Sequence, residues 1–293
     1  MTNRSKGILS ITASAFGFAL MAMFVRLCDD CGEEISSFQK SFFRNIIAFA
    51  IAAAVFARSR ARRGRDAETG PVNPTTAALL AGRCIAGCLG IFANFYALSK
   101  IPIAEAMTLN KTAPFFTVLF SWLFLKEVPR TRQVSAIAIA FIGVLAVMRP
   151  GFSSNGVCAS LCALGGGLGA GIAYTCVREL GVRKVNPAFI VLFFSAFSTI
   201  ASIPFTVCGF TPMSPAQTVI LLSAGAGAAI GQFGVTAAYR FAPPRQIAVY
   251  DYTNIIFTTA LGLIVFGQVP DPVAILGFIA IIAAAALTNG KDR

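Results

Sequence analysis

Apolar blocks of about twenty residues alternate with short polar breaks along the whole chain, and about twenty apolar residues are what a helix needs to cross a bilayer. The breaks carry proline, glycine or charge, as in Arg149-Pro150-Gly151 and Pro270-Asp271-Pro272, which interrupt a helical hydrogen-bond ladder. The pattern predicts an all-α integral membrane protein with ten transmembrane helices. The predicted spans are residues 7–28, 36–57, 76–99, 103–125, 131–148, 156–178, 187–207, 216–239, 245–266 and 271–289.

The composition agrees with a membrane protein and excludes a large soluble domain. Hydrophobic residues make up 56% of the chain and charged residues 12%, whereas soluble domains carry about 25% charged residues. The net charge of +12 does not indicate a nucleic-acid partner, because the one dense basic cluster (58–65) lies between two apolar blocks. Such clusters are typical of cytoplasmic loops. The predicted large partner is therefore the lipid bilayer.

The basic residues also predict the orientation of the spans. If the N-terminus is cytoplasmic, most of the 24 Lys and Arg residues fall at cytoplasmic span ends, and the outer ends hold only Lys40, Lys100 and Arg149. The first block resembles a signal peptide but is too long for one, so we interpret it as a retained helix. We expect a multi-pass protein of the cytoplasmic (inner) membrane with both termini in the cytoplasm.

The two halves of the chain resemble each other weakly. A shift of 150 residues places Gly17 on Gly167, and a shift of 141 residues places Thr112 on Thr253. These matches predict a duplication, with repeats at 1–150 and 151–293. Each repeat holds five predicted spans, and an odd number turns the second copy upside down. Inverted repeats are common in secondary transporters, which bind substrate near the midplane.

Several short motifs are characteristic of one transporter family. They are Phe42-Phe43-Arg44, Tyr96-Ala97-Leu98 leading to Ile101-Pro102 and Ala104, Pro114-Phe115, and Leu125-Lys126-Glu127. With them the chain resembles the ten-helix, EamA-like branch of the drug/metabolite transporter superfamily over essentially its whole length. The second half departs at Ile255, where the first half has Pro114, and at Gln268, where the family usually has an acid.

This resemblance implies a central cavity lined by spans 1–4 and 6–9, with spans 5 and 10 at the periphery. It also implies a small solute as substrate. Similar proteins move amino acids, nucleotide-like metabolites, riboflavin or S-adenosylmethionine, in either direction.

Polar side chains within the predicted spans mark a candidate substrate site. An ionisable side chain in the bilayer core costs roughly 2.5–3.5 kcal/mol on insertion scales, so it is retained facing water, a partner or a substrate. The candidate substrate-binding residues are Arg44, Arg83, Asn94, Lys111, Tyr174, Gln232, Tyr239, Tyr250, Asp251 and Asn254.

Alternative interpretations stay open for several of these residues. Arg83, like Arg178, lies near the cytoplasmic face and is also explained by snorkelling to the surface. The three tyrosines are equally explained by helix packing. Glu105 and Asp251 are the candidates for proton coupling, although facilitated exchange is equally allowed. The excess of cations over acids favours a substrate with an anionic group.

Neither a cofactor nor a metal is predicted. The chain has eight Cys and no His, and the pairs Cys84/Cys88 and Cys158/Cys162 are expected in opposite halves of the membrane, too far apart for a zinc site. A disulfide between Cys28 and Cys31 stays open. The glycine run 165–171 lacks the Lys-Ser/Thr of a nucleotide-binding loop and favours close helix packing.

The sequence thus predicts a secondary-active or facilitative transporter of a small polar metabolite, working by alternating access. A channel or a non-transporting membrane protein is the main alternative. A membrane-embedded enzyme is disfavoured because a chain without His has neither a His-Glu-x-x-His motif nor a Ser-His pair. Substrate identity, direction and coupling stay open, and a homodimer is compatible with the sequence.

Overall fold

A computed structural model describes residues 1–33, 35–63, 73–98, 100–101, 103–149 and 157–288. Within these residues the regular structure is entirely helical. The helices are α1 (Asn3–Asp30), α2 (Ser37–Arg63), α3 (Pro74–Leu98), α4 (Ile103–Asn110), α5 (Ala113–Leu125), α6 (Thr131–Met148), α7 (Val157–Val182), α8 (Pro187–Cys208), α9 (Pro215–Phe241), α10 (Pro244–Ile247), α11 (Thr253–Phe266) and α12 (Pro272–Thr288), with a 3₁₀ segment at Ala248–Tyr252.

Most of the predicted spans coincide with helices of membrane-spanning character. In the described part of the chain, eight helical stretches are long and apolar enough to cross a bilayer, judged by length and composition. They are Asn3–Asp30, Ser37–Ala61, Pro74–Asn94, Thr131–Met148, Val157–Val182, Pro187–Cys208, Pro215–Phe241 and Pro244–Phe266. The helix α12 is apolar but shorter.

The fourth predicted span is not one continuous helix, and this corrects the sequence interpretation. It consists of α4 and α5, which are separated by a turn at Lys111 and Thr112. Pro114 explains the break, because proline has no N–H to donate and its ring clashes with the carbonyl four residues earlier, here that of Asn110.

The ninth predicted span is also irregular, at the equivalent place. The short α10 and the 3₁₀ segment Ala248–Tyr252 precede α11. In both breaks a threonine hydroxyl donates a hydrogen bond to the carbonyl three residues earlier: Thr112 to Leu109 and Thr253 to Tyr250, each at 2.6 Å. The α-helix is therefore interrupted in both spans, by a turn in the fourth and by a 3₁₀ segment in the ninth.

Two helix pairs cross closely at glycines. The helix α1 packs on α9 and α3 packs on α7. A Cβ added to Gly17 would lie 2.6 Å from the backbone nitrogen of Gly231, and one added to Gly169 would lie 2.6 Å from the carbonyl oxygen of Ala86. A side chain at either glycine would push the helices apart. The packing role predicted for the glycine run is confirmed at Gly166, Gly167, Gly169 and Gly171, while a Cβ on Gly165 would meet nothing within 4 Å.

The remaining helices complete the bundle in pairs. The helix α2 packs on α8, and α6 packs on α12, where Gly143 and Gly277 face each other. The largest core cluster includes residues of α6, α7, α9, α12 and the 3₁₀ segment, among them the fully buried rings of Tyr239 and Tyr252. The 3₁₀ segment contacts α1, α5, α6 and α12, so the irregular part of the ninth span is enclosed by other helices.

Candidate functional site

The two helix breaks are joined by one hydrogen bond. Lys111, in the turn between α4 and α5, donates from Nζ to Oδ1 of Asn254 at 2.7 Å. Asn254, at the start of α11, donates from Nδ2 to the backbone carbonyl of Ala15 on α1 at 2.9 Å. Asp251 in the 3₁₀ segment lies within electrostatic range of Lys111. A cation from the first half of the chain is thus held by polar groups of the second half.

Arg83 on α3 is enclosed by neutral groups. Its side chain is 3% exposed, and Nη2 donates to Oε1 of Gln232 on α9 at 2.9 Å. The guanidinium lies over the ring of Phe194 on α8, 3.7 Å from the centroid, and 5.9 Å from that of Tyr174 on α7. A cation held over ring faces in this way is favourable. Because its charged end is packed among four helices, snorkelling does not account for Arg83.

Arg44 on α2 makes only weak contacts. Its Nε and Nη2 atoms lie 3.3 and 3.2 Å from Oδ1 of Asn45, and Nη1 lies 3.6 Å from the sulfur of Met21 on α1. Arg44 and Arg83 are both within electrostatic range of the same two side chains, Tyr174 and Cys88. The two guanidinium groups therefore belong to one region of the bundle.

Tyr174 lies between this arginine region and the helix breaks. Its ring packs against that of Tyr239 with the centroids 5.5 Å apart, and it is within electrostatic range of Arg44, Arg83 and Asp251. Tyr239 is 1% exposed and also lies within electrostatic range of Asp251. The structure thus brings together eight predicted residues: Arg44, Arg83, Lys111, Tyr174, Gln232, Tyr239, Asp251 and Asn254.

Three other predicted residues are not joined to this group by a described contact. Tyr250 donates from its hydroxyl to the carbonyl of Ala285 at 3.0 Å and accepts from Thr288, so it faces α12. Asn94 packs beside Gly166, and its buried Oδ1 has no hydrogen-bond partner among the described residues. The side chain of Glu105 lies outside the described part of the chain.

An ion pair connects the ends of α5 and α7. Arg178 donates from Nε and Nη2 to Oε1 of Glu127 at 2.9 and 2.8 Å, and from Nη1 to the carbonyl of Tyr239 at 3.0 Å. Ser121 donates to the other carboxylate oxygen of Glu127 at 2.5 Å. The side chains are only 14% and 16% exposed. Glu127 is therefore the ion-pair partner of Arg178, and Arg178 does not simply snorkel.

Some contributors to the site could not be recognised in the sequence. Phe194 is one of 27 phenylalanines, and nothing in its neighbourhood marks it as the ring beneath Arg83. The carbonyl of Ala15 is a backbone group that any residue would provide. The pairing of Glu127 with Arg178 joins residues 51 positions apart. Only the packing of distant helices creates these contacts.

The arrangement offers hydrogen bonds and charge, and the described residues include no group of three or more Cys, Asp or Glu that could hold a metal ion. All eight cysteines are free thiols. These side chains provide hydrogen-bond donors, hydrogen-bond acceptors and positive charge inside the bundle.

The chain is similar in sequence to known transporter proteins and in fold to a protein of known crystal structure. A sequence model of the EamA-like transporter family matches residues 5–149 and 158–290. The chain is 28% identical to the pseudopaline exporter CntI of Pseudomonas aeruginosa over 289 residues, 97% of this chain and 96% of that protein. It is 26% identical to a riboflavin transporter of Brucella anthropi over 237 residues, 79% of this chain and 80% of that protein. A protein of known crystal structure has the same fold, with a TM-score of 0.78, 19% identity, and coverage of 94% of this chain and 97% of that one.

Proposed function

Because the chain belongs to the EamA-like transporter family, we propose that it carries a small polar metabolite across the cytoplasmic membrane by alternating access. Membership of the family confirms the resemblance to the drug/metabolite transporter superfamily and makes the chain a multi-pass membrane transporter protein. Transport is secondary-active or facilitative. The observation that carries the proposal is the bond between Lys111 and Asn254, which joins the broken fourth and ninth spans.

Ten spans in two inverted repeats, 1–150 and 151–293, are part of this proposal. An inverted repeat matches each helix of the first half with one of the second: α1 with α7, α2 with α8, α3 with α9, α5 with α11 and α6 with α12. Under this matching the most extensive helix pairs are converted into one another or into themselves. The α1–α9 pair becomes α7–α3, α5–α7 becomes α11–α1, and α2–α8 and α6–α12 become themselves. The matching hydrogen bonds of Thr112 and Thr253 support the same relation. The charge distribution favours cytoplasmic termini.

Broken helices are suited to such a site. Their free backbone groups and polar side chains can meet a solute inside the membrane, whereas the backbone groups within a continuous helix are already hydrogen-bonded to each other. Lys111 comes from the first repeat and Asn254 from the second, so rocking of the repeats changes their separation. The substrate would compete for both side chains during each cycle. A channel, the rival interpretation, does not need contacts that must break in this way.

The test is solute flux in proteoliposomes containing purified protein. A panel of amino acids, nucleotide-like metabolites and vitamins, with riboflavin among them, should reveal at least one solute that is taken up, released or exchanged with saturation. We expect Lys111→Met to lower this flux at least about tenfold, because the cation and its contact with Asn254 are lost. Lys126→Met, at an exposed position, should leave it unchanged.

Absence of flux for every solute, with protein that is monodisperse in detergent, would refute transport. Conductance without saturation in planar bilayers would favour the channel instead. Equal flux in wild type and Lys111→Met would leave transport standing but place the solute elsewhere.

A further inference from the structure

Arg44 and Arg83 have no acidic partner among the described side chains. Their hydrogen-bond partners are the amide oxygens of Asn45 and Gln232 and the sulfur of Met21, all of which are neutral. Neutral acceptors satisfy the hydrogen-bonding requirement of the guanidinium N–H groups, but they do not neutralise the positive charge. Both cations lie within electrostatic range of the same Tyr174, inside an otherwise apolar bundle.

Three other cations of the bundle meet an acid. Arg178 pairs with Glu127, Lys40 pairs with Asp29 at 2.5 Å, and Lys111 has Asp251 within electrostatic range. Arg4 and Arg245, in the first turns of α1 and α10, and the exposed Arg26 have no acidic partner among the described residues either. Arg44 and Arg83 differ from these three because they lie well inside their helices.

The geometry around Arg83 leaves donor capacity unused. A guanidinium has five N–H groups, and the Nε of Arg83 is buried without a partner among the described residues. A Cβ on Gly87 would lie 2.6 Å from Nη1 of Arg83, so the glycine gives the guanidinium its space. With Phe194 beneath it and Gln232 beside it, the group is held in place before any ligand arrives. Such a pre-oriented fork suits two-point binding of an oxyanion.

We propose that Arg83 and Arg44 together bind an anionic group of the transported solute, a carboxylate or a phosphate, beside Tyr174. The ligand then supplies the negative charge that the protein does not provide. Lys111, already held by Asn254, contacts another polar part of the same solute. This inference rests on the proposed transport function and narrows its substrate to small organic anions.

Ligand-induced thermal stabilisation of the purified protein tests this site directly. The probes are carboxylates (succinate, citrate and glutamate) and phosphates (inorganic phosphate and glycerol 3-phosphate), with glycerol and choline as neutral and cationic controls at constant ionic strength. We expect at least one anion to raise the melting temperature of the wild type. Arg83→Gln and Arg44→Gln should each weaken its apparent affinity at least about tenfold. Carboxylates and phosphates are tested separately, so the experiment also shows which class of anion the protein prefers.

Arg183→Gln is the matched control. Arg183 directly follows α7, pairs with Glu179, and has a side chain that is 34% exposed, so its loss should not affect anion binding. Arg83→Lys keeps the charge but loses the fork, and it should bind the anion more weakly than wild type. If Arg83→Gln does not fold, Arg44→Gln and Arg83→Lys decide the question.

The proposal is overturned if no anion stabilises the wild type, if only glycerol or choline does, or if anion stabilisation survives in both arginine variants. The two proposals fail separately. Anion binding at these arginines without flux of any solute would refute transport but not the site. Flux restricted to neutral or cationic solutes would refute the site but not transport.

Discussion

Both the Glu127–Arg178 pair and the Arg44–Arg83 region contain a largely buried guanidinium group, but only Arg178 has an acidic partner among the described residues. Arg178 is matched by a carboxylate at two of its nitrogens and by a backbone carbonyl at the third. Arg83, although more buried, is matched only by an amide oxygen and aromatic rings. The first arrangement is complete within the protein, whereas the second lacks a negative charge.

This difference predicts that substitutions in one region lower the stability of the protein, whereas substitutions in the other lower ligand binding. Removing one member of a complete pair strands its partner, while removing a cation without an acidic partner strands no opposite charge. The same substitution of Arg by a neutral residue should therefore have different consequences in the two regions. Loss of a charge from the pair should lower stability, and loss from the arginine region should lower ligand binding.

The largest effect on stability is expected for Glu127→Ala. Arg178 would keep its charge in a mostly buried position without the carboxylate. The cost should be about 2–3 kcal/mol, less than the roughly 3–5 kcal/mol for fully buried pairs, because both side chains retain some exposure. The measurement is the melting temperature of the detergent-solubilised protein. The double variant Glu127→Leu/Arg178→Leu should recover part of the loss, and a double variant less stable than Glu127→Ala would contradict this explanation.

An intermediate effect is expected for Asn254→Ala. The substitution leaves Lys111 Nζ and the Ala15 carbonyl without their described partner, which should cost about 1–2 kcal/mol. The melting temperature should fall by less than in Glu127→Ala, and solute flux should fall as well. Thr258→Ala, one turn further along α11, is the control, because its hydroxyl bonds only within its own helix. An equal loss of flux in both variants would argue against a specific role for Asn254.

The smallest effect is expected for Glu179→Ala. Glu179 on α7 pairs with Arg183, which directly follows that helix. Both side chains are partly exposed, so the free energy of unfolding should change by about 0.5 kcal/mol or less. Its melting temperature should match that of the wild type under conditions where Glu127→Ala is clearly destabilised. A comparable drop in the two variants would show that exposure does not distinguish these pairs.

The membrane class and most helices were predictable because they follow from local composition. The long apolar stretches and their proline and glycine breaks match α1–α3, α6–α9 and α12, apart from their ends. The break inside the fourth span was missed because α4 and α5 together have the length of one span, although Lys111, Thr112 and Pro114 indicate a turn. The 3₁₀ segment of the ninth span has no proline within it, so the sequence offered no comparable signal there.

The candidate site was predictable in part. Periodicity and the insertion cost of charge selected Arg83, Lys111 and Asn254 without indicating their contacts. For Tyr250 the sequence left cavity lining and helix packing equally open, and the bond from its hydroxyl to the Ala285 carbonyl on α12 could not be predicted.

What the sequence determined by itself is which side chains must find a polar environment inside an apolar bundle, because that requirement follows from the energy of each residue in the bilayer. Which of them are neutralised was decided only by the tertiary structure. Glu127 reaches Arg178 because α5 ends against α7, while Arg83 reaches Gln232 and Phe194 because α3 packs against α8 and lies near α9. The charge of a side chain follows from the residue alone. Its neutralisation depends on which helices, distant in the chain, pack close enough to bring a partner within hydrogen-bonding distance.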